Sequence, residues 1–351
     1  MNKSISITII LGALIGAAQL TAAEKWEGTD QFDNSKRWFR YVDRGNLGKI
    51  INSDGRLIFN SLQEGEWNSA AWVWGNSKKG ISVPTGRSWE VGCEITFPEN
   101  SPTPNLSEAG ATVGVAWSSA KKGRAVYCGV CGSYDGMSRF ADSIQVFSDY
   151  NFEQRLGTDG GSPDETEQFA TARRTFLLLF RHNALTQKDL FELRESQASP
   201  PIYQRLGNSE LYLSPWVQFF LSIRADRYKS WPSLNNNIAV DNWYLLAFDP
   251  DPINLNSKTS TSKGVNYSVG VTGLGMTAAK LTGTVALTVG STSATLPITG
   301  SIDKNGYFAL TAKGKGTNRG FGCTLLYDVA TGTYRPNKNT VTAPKQKAIR
   351  F

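Results

Sequence analysis

The sequence predicts an all-β protein built as two consecutive antiparallel modules. Three observations predict it. Short β-branched or aromatic runs recur along the chain between turn signals. The composition is turn-rich and aromatic, with 34 Gly, 10 Trp, 12 Tyr and 17 Phe in 351 residues, which is the usage of strands joined by tight turns. Helical periodicity is almost absent once the N-terminal segment is set aside.

That segment, residues 1–23, has the pattern of a secretory signal. Lys3 gives a positive start, Ile7 to Ala18 an apolar stretch, and Thr21-Ala22-Ala23 a small-residue cleavage site. The expected mature chain starts near Glu24 and is secreted, periplasmic or cell-surface. No later stretch approaches the roughly 20 apolar residues a spanning helix needs, so no transmembrane span is expected in the mature chain.

From residue 24 to 248 the strand candidates follow one another in order. They are Gly55 to Asn60, Ser69 to Gly75, Ser88 to Phe97, Ala111 to Ser118, Arg124 to Ser133, Ser143 to Tyr150, Arg174 to His182, Asp189 to Arg194, Trp216 to Ala225 and Ile238 to Phe248. Ten strands of this kind suit a double-sheet jelly roll. In the Ser88 run the alternation assigns Val91, Cys93 and Ile95 to the core and Glu90, Gly92 and Glu94 to the other face.

Residues 249–263 combine Asp249-Pro-Asp-Pro252 with a Ser/Thr run and read as a linker. Residues 264–351 form a Gly/Thr-rich β meander or small barrel. Its runs are Lys280 to Val289, Ala294 to Ile302, Gly306 to Lys313, Gly320 to Asp328 and Lys347 to Phe351, with turns at Asp303 to Gly306, Gly316 to Gly320 and Ala330 to Gly332. From Lys263 onward, eight Lys and three Arg face only Asp303 and Asp328. That is a net +9, so the remainder carries −2 of the overall +7. Such a field would concentrate an anionic envelope polymer at residues 263–351. No nucleic-acid motif is present, and export would remove that partner.

The opening Asp30-Gln31-Phe32-Asp33 with Trp38, the run Gly55-Arg56-Leu57-Ile58-Phe59 and the closing Ala239-Val240-Asp241-Asn242-Trp243 together resemble extracellular concanavalin A-like, laminin-G-like jelly rolls. The resemblance covers about two thirds of the chain and implies a structural calcium, for which Asp30, Asp33 and Asp241 are the matching ligands. It also implies a fold shared by lectins and glucanases.

The enzymatic readings find little support in the sequence. The chain has one histidine, His182, at the end of an apolar strand, where a turn or rim position is expected, and no Gly-x-Ser-x-Gly or His-Glu-x-x-His accompanies it. The Glu-x-Asp-x-x-Glu strand motif of jelly-roll glucanases is missing, as are the Gln-x-His motifs of jelly-roll lyases. The nearest carboxylate pair is Glu90 and Glu94, spaced roughly 13 Å along a strand, beyond the approximately 5–9.5 Å of glycoside hydrolysis. A hydrolase or lyase would need a site dispersed over distant strands.

Binding is the expected role. Aromatic faces suit sugar rings, and the candidates are Trp72 and Trp74, which share a strand face, with Trp117, Tyr127, Trp216 and Trp231. A structural or adhesive envelope protein without glycan binding is the remaining alternative. Cys93, Cys128, Cys131 and Cys323 are even in number, which permits disulfides in an exported chain. Cys128-Gly-Val-Cys131 lacks the second ligand pair of a zinc site and reads as a structural disulfide or buried strand thiols.

Overall fold

The computed structural model describes residues 28–30, 38–44, 50–53, 56–59, 68–74, 81–83, 86–96, 109–118, 123–132, 143–152, 165–170, 175–209, 211, 216–225, 238–277 and 280–351. The signal segment, Asp33 and Trp231 lie outside them. Among the described residues sixteen strands precede residue 249: β1 (Gly28–Asp30), β2 (Trp38–Arg44), β3 (Ile50–Ser53), β4 (Arg56–Phe59), β5 (Asn68–Trp74), β6 (Ile81–Ser82), β7 (Ser88–Thr96), β8 (Ala109–Ser118), β9 (Gly123–Gly132), β10 (Ser143–Phe152), β11 (Glu165–Ala170), β12 (Thr175–Asn183), β13 (Lys188–Arg194), β14 (Pro201–Asn208), β15 (Trp216–Ala225) and β16 (Ile238–Phe248). Nine follow: β17 (Lys258–Ser262), β18 (Val265–Thr277), β19 (Lys280–Val289), β20 (Thr292–Ile302), β21 (Phe308–Lys313), β22 (Gly322–Asp328), β23 (Thr333–Tyr334), β24 (Thr340–Thr342) and β25 (Ile349–Arg350).

The first sixteen form two antiparallel sheets of eight. One runs β14-β13-β12-β7-β16-β4-β3, with β1 on β16; the other runs β11-β10-β9-β8-β15-β5-β2, with β6 on β15. Strands distant in sequence are neighbours, as in β7 beside both β12 and β16, so the sandwich is closed by crossovers rather than by a simple meander. All-β architecture is observed, and each of the ten strand candidates before residue 249 overlaps a strand.

In β7 the alternation is realised. Trp89, Val91, Cys93 and Ile95 are 0–1% exposed, whereas Glu90 and Glu94 are only partly buried on the other face. Opposite them on β12, Phe176, Leu178, Phe180 and His182 are all 0% exposed and pair in register with Ile95, Cys93, Val91 and Trp89. Trp89 packs edge-on to Phe219 of the second sheet, with ring centroids 4.6 Å apart. The sandwich core therefore lies between the two sheets.

The nine later strands make one antiparallel sheet that bends back on itself. Its first and last strands meet where the Ser262 hydroxyl donates to the Arg350 carbonyl at 3.3 Å, and Tyr267 stacks on Phe351 at 4.7 Å. The inward alternation of Val269, Val271, Val285, Leu287, Phe308, Leu310 and Leu325 fills the interior.

The stretch expected to be a linker is corrected in structure. Lys258–Ser262 pairs with Val265–Val269, Ile253 bridges Leu274, and Leu255 is 6% exposed in the C-terminal core. The two parts are also joined by the β12–β13 hairpin. Its Asn183 carboxamide oxygen accepts from the Leu185 and Thr186 amides, both at 3.0 Å, turning the chain so that Ala184 and Leu185, each 0% exposed, enter the C-terminal hydrophobic cluster. Among the described residues no helix is long and apolar enough to cross a membrane.

Candidate functional site

The outer face of the first sheet carries a connected set of polar side chains. On β7, Glu90 accepts from the Arg181 guanidinium, with Nε at 2.7 Å, and from the Tyr244 hydroxyl at 2.7 Å. Arg181 lies opposite Glu90 in register on β12, and its guanidinium also sits over the Phe248 ring at 5.6 Å. Tyr244 reaches Glu90 across Gly92, where a Cβ would come within 2.8 Å of the phenol ring. A side chain at 92 would therefore have to displace the ring that covers it. Burial, with the Glu90 carboxylate beside it, pushes the Tyr244 phenol well above its usual range.

Two residues further along, β16 bulges. Its pairing with β7 shifts between Asp241 and Tyr244, and Asn242 adopts φ 51°, a left-handed conformation that asparagine tolerates better than most residues. The Asp241 carboxylate accepts from the Asn242 amide at 2.7 Å and thereby stabilises the bulge. The exposed Asn242 carboxamide donates to Glu94 Oε2 at 2.8 Å. Leu246, on the same strand face as Tyr244, is 48% exposed. A carboxylate, an amide and an apolar surface thus lie along one open sheet face.

Glu90 and Glu94, the weak catalytic candidates, are each engaged: Glu90 by Arg181 and Tyr244, Glu94 by Asn242. For the calcium implied by the resemblance, the fit is poor. Asp241 is ion-paired with Arg56 at 3.4 Å, a cation standing where a second cation would have to bind. Asp30 is on β1 opposite Trp243, and Asp33 lies outside the described residues. No cluster of three metal-ligating side chains occurs among the described residues.

The aromatic candidates divide. Trp74 is 7% exposed and packs against Trp243 at 4.3 Å between ring centroids; it is a core residue, a correction to its expected ligand-facing role. Trp72, Trp216, Trp117 and Tyr127 fall on β5, β15, β8 and β9, four contiguous strands of the second sheet. Trp117 is opposite Val217, next to Trp216 in the chain. Trp231 lies outside the described residues.

His182 is neither a rim nor a turn residue. It is 0% exposed, with Nδ1 2.8 Å from Asp189 Oδ1 and 3.2 Å from Ser209 Oγ. Both partners meet the same ring nitrogen, and Nε2 is buried without a hydrogen-bond partner. A nucleophilic triad needs serine and aspartate on opposite ring nitrogens, so this cluster is structural. Sequence reasoning missed it because Asp189 and Ser209 sit 7 and 27 residues away. Cys93 and Cys323 are buried free thiols; burial raises both, Cys323 to about 12.

No family model matches the chain, and no curated protein matches it. Similar solved structures include lectin UEA-II complexed with galactose, at TM-score 0.43 and 9% identity over 64% of this chain and 99% of that chain. Peanut lectin with a 9mer peptide gives TM-score 0.42 and 10% identity over 63% and 97%. Arcelin-5, a lectin-like defense protein from Phaseolus vulgaris, gives 0.41 and 12% over 63% and 97%.

Proposed function

We infer that this is an exported carbohydrate-binding protein that does not cleave its ligand, with a basic C-terminal module that holds it to an anionic envelope or matrix polymer. The observation that carries the reading is the exposed pair of Asn242 and Glu94, 2.8 Å apart at the β16 bulge. Sugar hydroxyls each donate and accept, so a site for them needs a fixed acceptor beside a fixed donor, with apolar surface for the ring C–H face. Glu94 and Asn242 supply the first, and the edge of Tyr244, opposite Gly92 on the same face, supplies the second. Both glutamates of this face spend hydrogen-bonding capacity on neighbouring side chains, which favours holding a ligand over attacking it.

A glycan array probed with the labelled protein tests this. Binding to a restricted set of glycans is expected, weakened about tenfold in Asn242→Ala, the size of about one charge-assisted hydrogen bond. Binding to none, in wild type and variant alike, overturns the reading and favours a structural envelope protein.

A further inference from the structure

The outer surface of the C-terminal sheet carries a row that its function as a β module does not require. Thr282 on β19 faces Thr299 on β20, Thr299 faces Thr311 on β21, Thr311 faces Thr324 on β22, and Thr324 faces Thr340 on β24. Arg350 on β25 continues the row. Five threonines thus stand at directly opposed positions on five neighbouring strands, and Thr282, Thr299, Thr311 and Thr324 are exposed. With strands ~4.8 Å apart, the row presents a hydroxyl about every 5 Å over ~19 Å.

Four threonines of the row, Thr299, Thr311, Thr324 and Thr340, line a groove of about 570 Å³ together with Lys313 and Lys315. Gly322 lies between Lys313 and Thr342 in register, and a Cβ there would approach Thr342 Oγ1 to 3.2 Å. No carboxylate lines the groove. The module's two acids are used elsewhere: Asp303 accepts from the Asn305 and Tyr307 amides of its turn, and Asp328 from the Ala330 and Thr331 amides.

The geometry points to an extended anionic polysaccharide lying along this threonine row, its acid groups held by Lys313, Lys315 and Arg350. The inference rests on the reading of the basic module as an attachment module and names the surface that does it. A linear glycan offers polar groups at intervals close to the strand spacing, which a row of hydroxyls can follow. The absence of any aromatic ring from the lining disfavours neutral sugars that need stacking, and single-stranded nucleic acid, whose bases also stack. Carboxylate and sulfate groups share the required chemistry.

Affinity electrophoresis of the full chain through polygalacturonate, dextran sulfate and neutral dextran separates these. Retardation by either acidic polymer but not by dextran is expected, lost at high salt as the lysines are screened. The double variant Thr311→Val, Thr324→Val keeps β-branched residues on the strands and removes two hydroxyls, so an apparent Kd about fivefold higher or more is expected. Lys313→Gln with Lys315→Gln should reduce the salt-sensitive part. Wild-type retardation in both variant pairs would overturn the groove while leaving the basic-module reading in place. No retardation of the wild type by either acidic polymer would overturn both, and tighter retention by single-stranded DNA than by the glycans would overturn the glycan assignment.

Discussion

Gln187 Nε2 donates to the Gly306 carbonyl at 2.6 Å in a buried contact that spans 119 residues of chain. The donor sits at the tip of a sandwich hairpin and the acceptor in the Asp303 to Tyr307 turn of the C-terminal sheet. With Ala184 and Leu185 inserted into the C-terminal core, the hairpin makes the sandwich and the later sheet one packed unit at this junction.

Leu185→Ala should therefore lower the stability of the C-terminal sheet although the mutation lies in the sandwich. A buried leucine truncated to alanine costs about 2–5 kcal/mol. Differential scanning calorimetry should show the wild-type endotherm splitting into two transitions in the variant. A single unshifted endotherm would mean that the hairpin contributes no coupling.

Gly92→Ala places a Cβ 2.8 Å from the Tyr244 ring and should destabilise by about 1–3 kcal/mol, the usual cost of overpacking. The companion Tyr244→Phe retains the ring and loses the bond to Glu90, so about 1 kcal/mol is expected. Chemical denaturation of both variants checks the order. A larger loss in Tyr244→Phe than in Gly92→Ala would contradict the steric account of residue 92.

Alkaline stability follows from the buried thiol of Cys323. Its folded-state value is raised from 9.0 to about 12 by burial, so the folded protein keeps the proton that the unfolded chain releases. That contribution is complete below pH 9.0 and is lost progressively as pH rises toward about 12. Burial shifts Cys93, Tyr244 and Tyr334 in the same direction. Denaturation midpoints should fall steadily above pH 9.0, less steeply in Cys323→Ala. In the native state, Cys93 and Cys323 should resist a thiol reagent that labels them readily after unfolding. Rapid native labelling of both would contradict their burial.

The strands with a strong alternating signal were legible: the β7 pattern separates Val91, Cys93 and Ile95 from Glu90 and Glu94 as the pleat requires. Lys258–Ser262 was not, because all but one of its residues are exposed and an edge strand with no buried face carries no alternation to read. The burial of His182 is invisible to local pattern because Trp89, Asp189 and Ser209, from other stretches of the chain, enclose its ring. Trp74 was misjudged for a related reason. Period two groups it with Trp72, but only the neighbouring Trp243 decides that its face is the core. The Glu94–Asn242 pair depends on a bulge at φ 51°, and the threonine row on register across five strands; neither is a property of one segment.

The central claim is that the protein binds carbohydrate without cleaving it. Affinity electrophoresis through a panel of neutral and acidic polysaccharides, with the same lanes assayed for reducing ends, tests it most directly. Retardation on at least one neutral polysaccharide with no release of reducing ends is the predicted result. Release of reducing ends, lost in Glu90→Gln or Glu94→Gln, or the absence of retardation on every polysaccharide, would contradict it.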